Sequence, residues 1–220
     1  MSEAARSRIL ARLRSAPRPE APRPEVPSLP AAALDRSGRT ERLTSLMQAM
    51  RAEVHRVPAA EWTPQVKELL RSRGMQTLLY APATPIGAAL EEAWQPDAAG
   101  LPELVAYAEG IESFKERLFS VDAAVTAAAG AVADTGALIL RPSIAEPRLM
   151  SLVPPVHIAV LKAEDIFPSL GDAMREKSWA QDMPSNMLLI SGPSKTADIE
   201  LILAFGVHGP KELIVFILDD

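Results

Sequence analysis

The chain has 220 residues, 48% of them hydrophobic and 23% charged, with a formal net charge of −5, no cysteine and 20 prolines. That length supports one domain with a sizeable core plus an appendage, and the composition is that of a folded chain, not a disordered one. The missing cysteines exclude disulfides, thiol catalysis and thiolate-held iron–sulfur or zinc sites, the three scattered histidines (His55, His157, His208) argue against a histidine-rich metal centre, and the acidic balance argues against a nucleic-acid binder.

No run of about 18 uninterrupted apolar residues occurs, so no membrane span is expected. Ser2 to Arg14 lack the continuous apolar core of a secretory signal, and a cytoplasmic location is the default. Within residues 1–15, Ile9, Leu10 and Leu13 fall together at helical spacing among Arg6, Arg8, Arg12 and Arg14. The pattern is that of an amphipathic helix docking its apolar stripe on a neighbour or partner, although presequences and membrane-surface helices share it. Residues 16–30 follow as a spacer: Pro17, Pro19, Pro22, Pro24, Pro27 and Pro30 lie there, and Ala-Pro-Arg-Pro-Glu occurs twice in succession from Ala16. Proline has no amide hydrogen to donate, so this density predicts extended polyproline II. A folded domain is expected over residues 31–220, opening near Leu34 with Leu43, Leu46, Met47 and Met50 at helical intervals.

Short apolar runs then alternate with helical patterns. Glu53 to Val57 reads as a strand, Thr63 to Arg73 as a helix with Pro64 in its first turn and Gly74 at its end, and Met75 to Tyr80 as a strand. A Pro-rich turn over Ala81 to Pro85 leads to a helix near Ile86 to Trp94, a strand over Leu104 to Tyr107 and a helix around Ile111 to Leu118. Ala123 to Leu140, which surrounds Asp134-Thr135-Gly136, reads best as two consecutive strands joined by a helix turn or short loop, with the alanine-rich first half, Ala123 to Ala133, ambiguous between helix and strand. After Glu146, Pro147 and Arg148, the pattern predicts a strand over His157 to Leu161, a helix over Ala163 to Met174, a strand over Met187 to Ile190, a helix over Ala197 to Phe205 and a last strand over Leu213 to Leu218. Repeated βα units predict an α/β fold of three layers, a largely parallel sheet with helices on both faces and the continuous apolar strands at its centre.

Three segments carry chemistry. Asp134-Thr135-Gly136-Ala137 has the form of an aspartic-protease motif, but that chemistry needs two carboxylates sharing a proton and this chain has one copy in an α/β setting. What remains is either a ligand-facing turn of amides and a carboxylate or a structural Asx turn. Ser191-Gly192-Pro193-Ser194-Lys195-Thr196 is not a nucleotide P-loop, since no glycine directly precedes Lys195. Ahead of a helix it would expose amides to a carboxylate or phosphate, with Lys195 adding charge, although Asp198 and Glu200 in the first turn would oppose an anion. Gly206-Val207-His208-Gly209-Pro210 ends that helix in a tight turn and is expected to leave His208 at the C-terminal rim of the sheet, where open α/β sheets bind ligands. His157, entering a strand after Pro154-Pro155, reads as a hydrogen-bonded rim residue, and His55 offers no constellation.

Ala133-Asp134-Thr135-Gly136, Arg148 through Pro154 with His157, and above all Gly-Pro-Ser-Lys-Thr-Ala-Asp-Ile-Glu followed by Gly-Val-His-Gly-Pro resemble the lactate-utilisation protein C family, the LutC/YkgG group with its LUD domain. Ala137 departs from the threonine or serine expected there, which removes a hydroxyl. The resemblance implies a fold of the NagB/RpiA/CoA-transferase type. It also implies a part in bacterial oxidation of L-lactate to pyruvate beside iron–sulfur oxidoreductase subunits, with a small organic anion as ligand. The candidate ligand contacts are Asp134, Thr135, Gly136, Arg148, Ser191, Gly192, Ser194, Lys195, Thr196 and His208; no catalytic residue, metal ligand or cofactor is assigned. Two other readings stay open: a stand-alone sugar-phosphate isomerase or CoA-transferase-like enzyme on the same fold, and a structural scaffold of the oxidoreductase complex.

Overall fold

The structure, a computed structural model, describes residues 3–16, 34–95, 100–108, 111–179, 181, 184–197, 203–206 and 208–219. The chain parts into two compact units, Met1–Pro30 and Ala31–Asp220. In the first, helix α1 (Glu3–Ser15) carries Ile9 and Leu13 well exposed.

The second unit runs α2 (Arg36–Ala49), β1 (Glu53–Pro58), α3 (Trp62–Ser72), β2 (Thr77–Tyr80), α4 (Pro85–Trp94), β3 (Glu103–Ala106), α5 (Ile111–Ser120), β4 (Ala123–Ala127), β5 (Gly130–Val132) and β6 (Ala137–Leu140). It continues through a 3-10 turn at Arg148–Ser151, β7 (Val156–Lys162), a second 3-10 turn at Ala163–Asp165, β8 (Ile166–Phe167), α6 (Leu170–Glu176), β9 (Leu188–Ile190), β10 (Lys195–Ala197), β11 (Leu203–Phe205) and β12 (Glu212–Asp219). Six strands form one sheet in the order β1-β12-β7-β4-β2-β3, every neighbouring pair parallel. The apolar runs of β12 and β7 take interior positions because both of their faces are covered.

One face of this sheet receives α3 and α4, whose Trp62, Val66, Leu70, Leu90 and Trp94 join Leu78, Val125, Ile158, Ile214 and Phe216 in a single core. Thr84 starts α4 by accepting the Gly87 N–H at 3.0 Å, and Pro85 beside it needs no donor of its own. The other face is divided. Leu43 and Met47 of α2, with Ala131 and Leu138, cover Ala159, Leu161 and Val215, while Phe114 and Leu118 of α5 cover Leu79, Val105 and Ala124. A second sheet, β8-β5-β6-β9, thus joins α2 and α5 on that face. The alanine-rich segment, ambiguous by propensity, is strand, β4 in the first sheet and β5 in the second with their small side chains buried, so that three strands and not two span the stretch to Leu140.

Three expectations are corrected. The helix over Ala163 to Met174 is instead a 3-10 turn, the short strand β8 and a helix beginning only at Leu170. Ser169 and Asp172 form a reciprocal capping box that starts α6, and Pro168 just before it cannot extend a helix backwards. The helix over Ala197 to Phe205 is replaced at its described ends by β10 and β11, paired antiparallel with Lys195 opposite Phe205, Thr196 opposite Ala204 and Ala197 opposite Leu203; Asp198 and Glu200 lie outside the described residues. The strand over Met187 to Ile190 is present as β9 but belongs to the second sheet, where it pairs antiparallel with β6 and leaves Leu189 half exposed.

Candidate functional site

A cavity of about 220 Å³ opens where β7 and β12 begin. Ser151 and Leu152, at the end of the 3-10 turn leading to β7, supply one wall, and Leu189 to Gly192 supply a second. His208 to Pro210 and Leu213, on the approach to β12, supply a third, and His157 in β7 completes the lining with Ser194. All six main-sheet strands run the same way, so the cavity sits at their N-terminal ends. This corrects the expectation that His208 would stand at the C-terminal rim: Gly206 to Pro210 feed directly into the start of β12 rather than following a strand of the main sheet. The loops are tied to one another by backbone hydrogen bonds. Ser194 N–H donates to Pro210 O at 2.9 Å, Gly206 N–H to Ser194 O at 3.0 Å, and Lys211 N–H to Pro155 O at 2.8 Å. Gly192 is needed for a close approach, since a Cβ there would come 2.7 Å from the Met50 carbonyl oxygen at the end of α2.

Ser191, Gly192, Ser194 and His208 therefore meet around one cavity, as their loops suggested. The other candidates lie apart from it. Asp134 and Thr135 are exposed at the turn between β5 and β6. Gly136 has φ +65°, donates its N–H to Val132 O at 3.0 Å, and would bring a Cβ within 2.5 Å of Leu46 Cβ. A backbone hydrogen bond closes this turn, and the positive φ together with Leu46 accounts for the glycine. Lys195 is exposed with its Nζ 4.0 Å from Met50 Sδ and is not among the residues lining the cavity, and Thr196 in β10 pairs with Ala204 of β11. The amide array expected at a helix start is missing there, because residues 195–197 are strand. Arg148 borders a small depression with Thr126, Glu146 and Ser151, and also an open groove of about 370 Å³ with Ile144 and Asn186.

Three residues here were not among the sequence candidates. Ser151 is buried and donates its hydroxyl to Arg148 O at 2.9 Å. His157 is fully buried, not at a rim; its Nε2 lies 2.8 Å from Thr126 Oγ1, and its Nδ1 has no hydrogen-bond partner among the described residues. Burial holds the imidazole neutral, pushing its pKa down to about 4. Glu146 accepts the Ala127 N–H at 3.0 Å through Oε1, and burial raises its carboxyl to about 7, with that hydrogen bond opposing the shift. Thr126 and Ala127, the last residues of β4, thus hold one titratable group each, His157 fully buried and Glu146 part-buried. The sequence did contain one signal: a histidine inside the apolar run Val156 to Leu161 must be buried with it, and buried polar groups call for partners. Among the described residues no three His, Asp or Glu side chains gather as a cation site would require.

Comparison with known proteins follows this geometry. The LUD domain matches residues 40–218. The chain is 35% identical over 179 residues to the uncharacterized protein NMB1437 of Neisseria meningitidis, covering 80% of this chain and 76% of that one. It is 37% identical over 91 residues to the uncharacterized protein YkgG of Escherichia coli, covering 40% and 39% of the two chains. It is also 31% identical over 113 residues to lactate utilization protein C of Halalkalibacterium halodurans, covering 50% and 49%. The match thus spans half or less of these last two relatives. A crystal structure of a DUF162 family protein from Deinococcus radiodurans shares the fold, with TM-score 0.62 and 19% identity over 84% of this chain and 99% of that one.

Proposed function

The chain belongs to the LUD domain family, and from that membership we propose that it is the component without iron–sulfur clusters of a bacterial lactate-utilisation system, acting in the oxidation of L-lactate to pyruvate beside iron–sulfur oxidoreductase subunits. The observation that carries the reading is the match to several proteins named lactate utilization protein C. The absence of cysteine agrees with a division of labour in which partner subunits hold the electron carriers. The cavity at the start of β7 and β12 is the ligand site in this reading. Ser191, Ser194 and His208 line it together with the apolar Leu152, Leu189 and Leu213, a mixed lining suited to a small organic anion of the monocarboxylate class.

Growth tests the assignment. In a bacterium that retains the partner subunits but lacks its own copy of this component, the full chain should restore growth on L-lactate and leave growth on pyruvate unchanged. Failure to restore, with the protein expressed and folded, would refute the assignment. Turnover of a sugar phosphate or an acyl-CoA by the purified chain alone would instead favour the stand-alone enzyme.

A further inference from the structure

The loop between β6 and β7 builds a second recess at the other end of β4. Glu146 Oε1 accepts the N–H of Ala127, the last residue of that strand, at 3.0 Å. The Ser143 N–H donates to Glu146 O and the Glu146 N–H donates to Ser143 Oγ, both at 3.0 Å, so residues 143–146 form a closed turn tied to the C-terminal end of β4. In the main sheet the chain passes from β2 to its neighbour β3, and from β4 to its neighbour β7 on the opposite side, so the strand order reverses between β2 and β4. In open parallel sheets ligands bind outside the C-terminal strand ends at such a reversal. Arg148 lines both the depression that holds Glu146 and the open groove of about 370 Å³. Its side chain is exposed and has no hydrogen bond or ion pair among the described residues. Pockets for organic ligands run to about 300–1,000 Å³. The groove falls inside that range, whereas the cavity of about 220 Å³ falls below it and suits a smaller acid.

We propose that this groove is a second ligand site, in which Arg148 takes the phosphate or carboxylate end of an organic anion of nucleotide size and Glu146 limits the negative charge the site accepts. The planar guanidinium presents a fork of donors that matches either oxyanion. Ile144, 98% exposed, and the neighbouring Pro142 and Pro147 offer apolar surface to the body of such a molecule, and Asn186 offers an amide. Ser143 Oγ accepts from the Glu146 N–H and keeps its own hydrogen to donate. Around Glu146, Arg148 is the other charged group among the described residues, and His157, behind Thr126, is neutral. Burial keeps Glu146 protonated up to about pH 7; above that its carboxylate stands as a second negative charge beside the bound anion. The proposal does not rest on the lactate assignment.

Calorimetric titration of the full chain with ADP, with citrate and with adenosine tests the site. At least one of the two anions should bind, and whichever binds tighter identifies the anionic end as phosphate or carboxylate. Adenosine, which has no anionic group, should bind more weakly than that anion by about tenfold or more, the loss expected for a hydrogen bond to a charged group. Arg148→Ala should lose a similar factor with an unchanged melting temperature, because the side chain is exposed. Glu146→Gln should match wild type at about pH 6 and bind the anion more tightly than wild type at about pH 8, where the wild-type carboxyl is ionised; the ligand's own titration cancels in that ratio. Binding of neither anion at millimolar concentration would overturn the proposal. So would undiminished binding by Arg148→Ala, or a ratio of Glu146→Gln to wild-type affinity that stays constant with pH. The growth test on L-lactate decides the lactate assignment separately.

Discussion

Glu146 and His157 flank the end of β4 through Ala127 and Thr126, and burial moves their proton equilibria in opposite directions. Glu146 keeps its proton to about pH 7 in the folded chain and releases it near 4.5 when unfolded, so the native state binds more protons in that window and stability from this group falls as pH rises from about 4.5 to about 7. His157 titrates near 4 when folded and near 6.5 when unfolded, so its contribution rises with pH across about 4 to 6.5. Each is worth about 3 kcal/mol over its own window, and between pH 4.5 and 6.5 the two largely cancel. Glu146→Gln should therefore unmask the histidine, giving a protein whose urea midpoint climbs from pH 4 to 6.5 relative to wild type. His157→Asn should show the converse, a midpoint that falls from pH 4.5 to 7. Variants that track the wild-type pH profile in parallel would show that neither group is held in its neutral form. The burial of His157 was legible in the apolar run around it, but the position of Glu146 was not, because Glu146 lies in a loop whose path over β4 is set by residues distant in the chain.

Elements show the same division between local and distant causes. The start of α6 is written locally: Ser169 and Asp172 stand three residues apart after Pro168, and reading that box would have placed the helix correctly instead of at Ala163. Ser169→Ala should cost about 1 kcal/mol, seen as a melting temperature lower by about 2–4 °C; no change would mean that α6 is held by packing alone. The turn between β5 and β6 is also legible as a glycine turn, but its demand is tertiary. Gly136→Ala meets both a positive φ and Leu46 of α2, and should destabilise the chain by about 1–3 kcal/mol, measured by urea unfolding. The segment from Ala197 to Phe205 was misread as a helix because its apolar residues fit a helical period as well as a strand, and at its described ends the antiparallel register of β10 and β11 decides it.

At the scale of the whole molecule, the division into Met1–Pro30 and Ala31–Asp220 gives a direct expectation. Removing residues 1–30 should leave the second unit folded, with a melting temperature within about 2 °C of the full chain, since that unit carries hydrophobic core clusters of its own. A truncated chain that precipitates or melts without cooperativity would show that the arm completes the fold. If the arm instead serves partner binding, the truncated protein should fold normally and fail to co-purify with the oxidoreductase subunits. The sequence by itself determined the alternation of strand and helix, the burial of the β7 and β12 runs, the family and four of the cavity-lining residues, because apolar periodicity, glycine and proline placement and short motifs are local properties of the chain. Only the tertiary structure decided that the cavity opens at the N-terminal ends of the strands, that Lys195 and the Asp134 turn stand apart from it, and that Thr126 meets His157 and Glu146 meets the end of β4. Those outcomes depend on which strands become neighbours and on the desolvation that follows, and both are set by contacts between residues far apart in sequence.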